Sequence, residues 1–99
     1  MNVYWTETAT RQLDRIYEYI SETSLVYARR MVDRITRRTE QIAEFPRSGR
    51  IVPEFERANI REVIEGAYRI IYLIDEDIID ILAVVRGAQD VGSWTIAEE

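Results

Sequence analysis

The sequence predicts an α+β fold, in which an N-terminal strand and a helical hairpin pack on one face of a mainly antiparallel four-stranded sheet (β-α-α-β-β-β). The 99 residues have an apolar fraction of 46% and no low-complexity tract, which indicates a single domain, residues 1–99. A short strand-forming segment precedes two stretches of helical periodicity, and three strand-like runs separated by turns follow. This order of elements places two helices against one sheet, in two layers.

The first half of the chain predicts one strand and two helices. "NVYW" (2–5) is rich in strand formers, and Thr6 is a suitable N-cap for a helix that continues to about Glu22. Ser24 can cap a second helix, which Pro46 ends. A short connection between two long amphipathic helices indicates an antiparallel helical hairpin. The apolar stripe predicted for the second helix consists of Ala28, Met31, Val32, Ile35, Ile42 and Phe45.

The second half predicts a long loop and three strands. "PRSGRIVPEFERAN" (46–59) contains two prolines and one glycine, and irregular stretches of this length in compact domains often have a function. The strands are predicted at about 60–65, 68–74 and 78–86, with turns at Gly66 and at "DED".

The last two strands, "YRIIYLIDEDIIDILAVVRG", predict two different faces of the sheet, because side chains alternate along a strand. We choose an even-numbered turn, either of two residues at Glu76 and Asp77 or of four, since a three-residue turn places Asp80 and Arg86 toward the core, where unpaired charge is costly. The predicted face under the helices contains Tyr68, Ile70, Tyr72, Ile74, Ile79, Ile81, Ala83 and Val85. The predicted second face contains Arg69, Ile71, Leu73, Ile78, Asp80, Leu82, Val84 and Arg86.

The second face is too apolar to be left in water, and no long helix remains to cover it. Either the C-terminal segment with Trp94 folds across this face or another protein chain does, and the sequence leaves both alternatives open. We therefore expect the second face to bind another protein. The residues predicted to do so are Arg69, Ile71, Leu73, Leu82, Val84, Arg86 and Trp94.

Composition narrows the possible chemistry. The chain has no cysteine and no histidine, so thiolate chemistry is excluded and the usual residue for metal ligation and for proton transfer near neutral pH is missing. We expect no metal, no cofactor and no small-molecule substrate. No apolar run is long enough to span a bilayer, so we expect a soluble cytoplasmic protein without a membrane partner. The net charge of −5 argues against broad non-specific binding to nucleic acids.

Three segments together resemble the RelE/ParE superfamily of type II toxin–antitoxin toxins, often labelled plasmid-stabilisation proteins. They are "PRSGRIVPEF", "REVIEGAYRIIYLI" and "IIDILAVVRGAQD", and the opening "VYWTETATRQLDRIYEYI" is similar to the start of these proteins. The resemblance thus spans essentially the whole chain. It implies a small growth-inhibiting toxin that a cognate antitoxin neutralises. In this superfamily, ParE-like members act on DNA gyrase and RelE-like members are ribosome-dependent mRNA endonucleases.

The resemblance also implies site residues for the nuclease alternative, which would work without a metal. Arg69 matches the arginine that contacts the scissile phosphate, Glu54 resembles the general base of one subgroup, and Arg86 stands near the position of the acid or charge stabiliser. Arginine is a poor proton donor. The chain has no histidine, and no tyrosine or arginine follows Arg86 that could act in its place. These departures and the acidic charge favour a ParE-like gyrase inhibitor over an mRNA interferase. A decayed, non-toxic relative that only binds antitoxin is a third alternative for the function. For Arg69 itself, the structural alternative is an ion pair with Asp80 across the sheet.

Overall fold

The computed structural model describes residues 1–87 and Val91. Its elements in chain order are β1 (Asn2–Trp5), α1 (Glu7–Ser21), α2 (Leu25–Glu44), a 3-10 turn (Pro46–Ser48), β2 (Arg50–Ile51), β3 (Ile60–Glu65), β4 (Tyr68–Asp75) and β5 (Ile78–Arg86). The predicted α+β class is confirmed, as is the order of a strand, a helical hairpin and then strands. The sheet has five strands instead of the predicted four, because the two-residue β2 pairs with β3.

The five strands form one mixed sheet in the spatial order β1-β5-β4-β3-β2. β1 runs parallel to β5, and every other neighbouring pair is antiparallel. The helices α1 and α2 pack against each other and lie on one face of this sheet, with α1 over β5. The two edges of the sheet are therefore β1 and β2.

Both helices begin at the predicted caps. The Thr6 hydroxyl oxygen accepts a hydrogen bond from the Ala9 N–H (3.2 Å), and the Ser24 hydroxyl oxygen accepts one from the Tyr27 N–H (3.1 Å). Phe45 does not belong to the buried stripe of α2, because it follows the end of the helix and is 64% exposed. In the part of the chain that the structure describes, neither helix is long and apolar enough to cross a membrane. The buried residues of α2 are Ala28, Met31, Ile35, Thr39 and Ile42.

A β-bulge in β5 changes which side chains face the helices. The β4–β5 ladder begins at a two-residue turn, one of the two even-numbered lengths predicted, and its register then shifts by one residue. Ile71 pairs with Ala83 whereas Tyr72 pairs with Ile81, so Leu82 is the extra residue of the bulge. Beyond this point the alternation of side chains along β5 is inverted.

The bulge overturns part of the predicted assignment of faces. Val84 belongs to the core under the helices, whereas Ala83 and Val85 belong to the cluster on the opposite face. Arg86 shares its side of β5 with Val84 and therefore lies on the helix side. The prediction that Arg69 and Arg86 share one face is wrong, because Arg69 lies on the side away from the helices.

Each face of the sheet buries its own apolar cluster. The buried cluster between the sheet and the helices consists of Ala9, Ile16, Met31, Ile35, Ile42, Val63, Tyr68, Ile70, Tyr72, Ile79, Ile81 and Val84. The opposite buried cluster, which we call the second core, consists of Val52, Ile60, Ile71, Leu73, Ala83, Val85 and Val91, with Phe55 and Leu82 packed against it. Val52 and Phe55 come from the segment between β2 and β3, and Val91 comes from the C-terminal segment. This chain therefore supplies its own cover for the second face.

Candidate functional site

Arg69 lies near the start of β4, and two carboxylates hold its guanidinium. Its Nη1 and Nη2 atoms donate hydrogen bonds to the two carboxylate oxygens of Glu54, each at 2.9 Å. Its Nε donates to Oε1 of Glu62 at 2.6 Å. The residue is only 4% exposed, so these charge-assisted hydrogen bonds lie largely out of water, where they are strong.

The backbone brings the two carboxylates to Arg69 by different routes. Glu62 lies in β3 opposite Ile71, on the same face of the sheet as Arg69 and in a diagonal position to it. Glu54 belongs to the segment between β2 and β3, which folds back because the N–H groups of Phe55 and Glu56 both donate to the Val52 carbonyl at 3.1 Å. Burial of Val52 in the second core fixes this turn against the sheet.

Glu62 lies between two arginines. Its side chain is 0% exposed, and its two oxygens accept hydrogen bonds from Nε of Arg69 and Nε of Arg50. We call this row of alternating charges the arginine–glutamate network; it consists of Arg50, Glu62, Arg69 and Glu54. The network connects β2, β3, β4 and the β2–β3 segment. A buried carboxylate is tolerated when it is paired and hydrogen-bonded, and Glu62 meets both conditions.

Arg69 keeps Glu54 ionised. The hydrogen bond from the guanidinium lowers the pKa of Glu54 from 4.5 to about 2, against the opposing effect of burial. In turn, the hydrogen bonds to Glu54 and then Glu62 raise the pKa of Arg69 above its ordinary value. The pair is therefore fully charged at neutral pH, and Glu54 is a very weak base.

The structure brings two of the three predicted nuclease residues together and separates the third. Arg69 and Glu54 are in direct contact, whereas Arg86 lies on the helix side of the sheet. The predicted pair of Arg69 with Asp80 is not formed, because Asp80 lies opposite Leu73, farther along β4. Among residues 1–87 and Val91, no group of three or more acidic side chains is placed to hold a metal ion.

The residues predicted to bind a partner differ in accessibility. Ile71, Leu73 and Val84 are 0%, 4% and 2% exposed, so the folded chain buries them itself. Leu82 is half-buried at the bulge, and Trp94 lies outside the described residues. Their role in partner binding stays a prediction.

Sequence reasoning missed Glu62, although a signal for it was present. A glutamate in a strand is usually solvated, which is why the residue is easily ignored. However, the turn at Gly66 places Glu62 and Arg69 on one sheet face, and opposite charges in that relation commonly pair.

Comparisons with known proteins agree with the resemblance seen in the sequence. The family model for the ParE toxin of the type II toxin–antitoxin system, parDE, matches residues 3–91. Toxin RelE2 of Caulobacter vibrioides is 31% identical over 88 residues, which cover 88% of this chain and 96% of that protein. The solved chromosomal ParDE TA system from P. aeruginosa contains a chain with the same fold, at a TM-score of 0.72 and 24% identity, with coverage of 87% of this chain and 95% of that one. The match over residues 3–91 confirms the predicted membership of the RelE/ParE superfamily, and this chain belongs to the ParE toxin family of type II toxin–antitoxin systems.

Proposed function

We propose that this toxin arrests growth by binding DNA gyrase, without cleaving RNA, and that a cognate antitoxin neutralises it. The observation that carries this proposal is the arginine–glutamate network. The guanidinium of Arg69, which the nuclease alternative needs for the scissile phosphate, makes a bidentate contact with Glu54 and a third hydrogen bond with Glu62.

A phosphate group would have to compete with this intramolecular contact. The Glu54 carboxylate already has the planar, bidentate geometry that suits a guanidinium, and it is held in place by the fold. An RNA phosphate that approached Arg69 would also meet the negative charges of Glu54 and Glu62. Both effects oppose phosphate binding at this position.

The ionisation of Glu54 also disfavours general base catalysis. A base works best when its pKa lies near the operating pH, because it must hold the proton that it removes. With a pKa of about 2, Glu54 binds a proton far too weakly for this role at neutral pH. Arg86 cannot complete the site from the helix side of the sheet, since Arg69 and Glu54 lie on the other side.

The second candidate function is a ribosome-dependent endoribonuclease. Two observations favour it: the 31% identity to a protein named Toxin RelE2, and the direct contact of Arg69 with Glu54, which joins two of the three residues implied for a nuclease. This alternative requires that the ribosome or the messenger RNA separate Arg69 from Glu54.

An assay of gyrase distinguishes the two functions. Purified toxin is expected to inhibit supercoiling of relaxed plasmid DNA by gyrase in a dose-dependent way, and to leave a transcript on translating ribosomes intact. Relaxation of the supercoiled form of the plasmid by topoisomerase I, which is a different enzyme, serves as the control and should not change. Unimpaired supercoiling at high toxin excess, together with a cleaved transcript, would replace the proposal by the second candidate.

A further inference from the structure

We infer that one flank of α2 binds the sugar–phosphate backbone of duplex DNA. The flank, which we call the basic flank, carries three arginines of α2 and one of the adjoining strand β3: Arg30, Arg34, Arg38 and Arg61. It lies on the helix side of the sheet, away from the arginine–glutamate network, and DNA binding can be measured without gyrase or ribosomes. The inference therefore goes beyond the proposed function and does not depend on it.

Three of the arginines form a row along α2. Arg30, Arg34 and Arg38 are four residues apart, so their side chains lie on one side of the helix in steps of about 6 Å. The acidic residues of the helix lie about 80–120° away from this row around the helix axis. They are Asp33, Glu40 and Glu44. The helix therefore separates its charges, and the basic flank receives only cations from α2.

The sheet fixes a fourth guanidinium beside this row. Arg61 lies opposite Tyr72, a residue of the core under the helices, and so it shares the helix side of β3. Its Nε and Nη1 atoms donate to three backbone carbonyl oxygens at 2.9 to 3.2 Å, which leaves the two N–H groups of Nη2 for a ligand. Burial raises the pKa of Tyr72, and the charges of Arg61 and Arg38 act against this rise, so both guanidinium groups lie near the same hydroxyl.

One carboxylate of β3 lies among these guanidinium groups. Glu65 accepts hydrogen bonds from Arg34 at 2.7 and 3.0 Å and lies 4.0 Å from Arg38. Arg30 is exposed and forms no ion pair with any residue that the structure describes. With four arginines and one glutamate, the basic flank keeps a net charge of +3. This charge is complementary to a row of phosphates.

A groove at one end of the basic flank adds uncharged donors. It has a volume of about 310 Å³ and is lined by Ser24, Val26, Tyr27, Arg30 and Arg34. The Ser24 hydroxyl oxygen accepts a hydrogen bond from the Tyr27 N–H, so its own hydrogen can be donated to a ligand. Hydroxyl groups of serine and tyrosine commonly accompany arginine at DNA phosphates.

The distribution of charge along the chain orients a polyanion on this flank. The net charge of −5 opposes nucleic-acid binding for the molecule as a whole, but residues 29–61 contain nine arginines and five acidic residues, a net charge of +4. Residues 62–99 contain two arginines and nine acidic residues, a net charge of −7. Repulsion by the acidic part therefore favours an approach by way of α2.

A duplex fits the basic flank better than a single strand. Proteins that bind single strands place aromatic side chains between their cationic groups, where unpaired bases stack. No aromatic residue stands between Arg30 and Arg38 in the sequence. A rigid row of arginines without such side chains can contact phosphates but cannot read bases. We therefore expect binding to DNA of any sequence.

Fluorescence anisotropy of a labelled duplex of about 20 base pairs tests the inference with the full chain. At about 50 mM salt, we expect saturable binding with a Kd on the order of 10 μM, and a slope of log K against log salt of about −3, since each neutralised phosphate contributes about −0.9. The variant Arg30→Gln/Arg34→Gln should weaken binding by about tenfold or more and reduce the magnitude of this slope by about 2. Circular dichroism checks that the variant is folded.

The matched control is Arg11→Gln/Arg29→Gln, which removes the same charge from exposed positions outside the basic flank. Its affinity should stay within about twofold of the original protein, and its salt slope should not change. The inference is overturned if no saturable binding occurs, or if both variants lose the same affinity. Equal or tighter binding of a single-stranded RNA would identify RNA as the ligand. Displacement of the duplex by polyglutamate at equal charge concentration would identify an acidic protein, and either result also overturns the inference.

Discussion

Replacement of Glu62 by alanine is expected to lower the free energy of unfolding by about 3–5 kcal/mol, the cost of breaking a buried ion pair from one side. The side chain of Glu62 is 0% exposed and accepts hydrogen bonds from Arg69 and Arg50. Its removal takes a compensating charge from the buried guanidinium of Arg69 and leaves a cavity between β2 and β4. In a domain of this size, Tm should fall by more than about 12 °C, which thermal unfolding followed by circular dichroism can measure.

A matched control for this substitution lies three residues along the same strand. Glu65 also accepts a hydrogen bond from an arginine, Arg34, at 2.7 Å, but the Arg34 side chain is 49% exposed. Ion pairs that reach into solvent contribute little, so Glu65→Ala should cost no more than about 1 kcal/mol. If Glu62→Ala and Glu65→Ala unfold at the same temperature, the network does not stabilise the second face.

Replacement of Gly49 by alanine is expected to cost between about 1 and 3 kcal/mol, because the added methyl group has no space. A Cβ at this position would lie 2.5 Å from the Tyr72 hydroxyl oxygen and 2.6 Å from the Glu62 carbonyl oxygen. The Gly49 N–H donates to this Tyr72 hydroxyl at 3.1 Å, and the hydroxyl in turn donates to the Pro46 carbonyl at 2.6 Å. The methyl group would push the end of the 3-10 turn away from β3 and break this chain of hydrogen bonds.

Gly87→Ala provides the comparison for Gly49→Ala. At Gly87 an added Cβ would lie 3.6 Å from the Ala67 carbonyl oxygen, the nearest atom among the described residues apart from the chain neighbours, and this is an ordinary contact. We expect this substitution to change the unfolding free energy by less than about 0.5 kcal/mol in a denaturant titration. Equal stabilities of the two alanine variants would show that the close approach at Gly49 relaxes freely.

The helices and the strand limits follow from local sequence. Thr6 and Ser24 cap the helices as predicted, because a hydroxyl side chain before an amphipathic stretch satisfies a free N–H group wherever the rest of the chain lies. The strands predicted at 60–65 and 78–86 are observed with these bounds, since turn-forming residues separate them clearly.

The bulge in β5 could not be predicted because the sequence around it is apolar at every position. Leu82, Ala83, Val84 and Val85 fit either face of the sheet equally well, so no pattern of polarity reports where the alternation inverts. One extra residue then moves Arg86 to the helix side.

The arginine–glutamate network was predicted only in part. Arg69 and Glu54 can be selected from the sequence as charged residues in a resembling motif, but their mutual contact depends on how residues 52–56 fold over the sheet. That fold is fixed by burial of Val52 and Phe55, which is a tertiary effect that periodicity does not report. The same burial explains why the second face needs no further helix.

Growth inhibition by the variant Glu54→Gln tests most directly whether toxicity requires RNA chemistry. Glutamine still offers an oxygen to the Arg69 guanidinium but cannot act as a general base. At equal soluble amounts, induced Glu54→Gln toxin is expected to arrest growth as the original protein does, with intact transcripts and inhibited gyrase. Loss of growth arrest in Glu54→Gln, combined with transcripts that only the original toxin cleaves, would contradict the gyrase proposal.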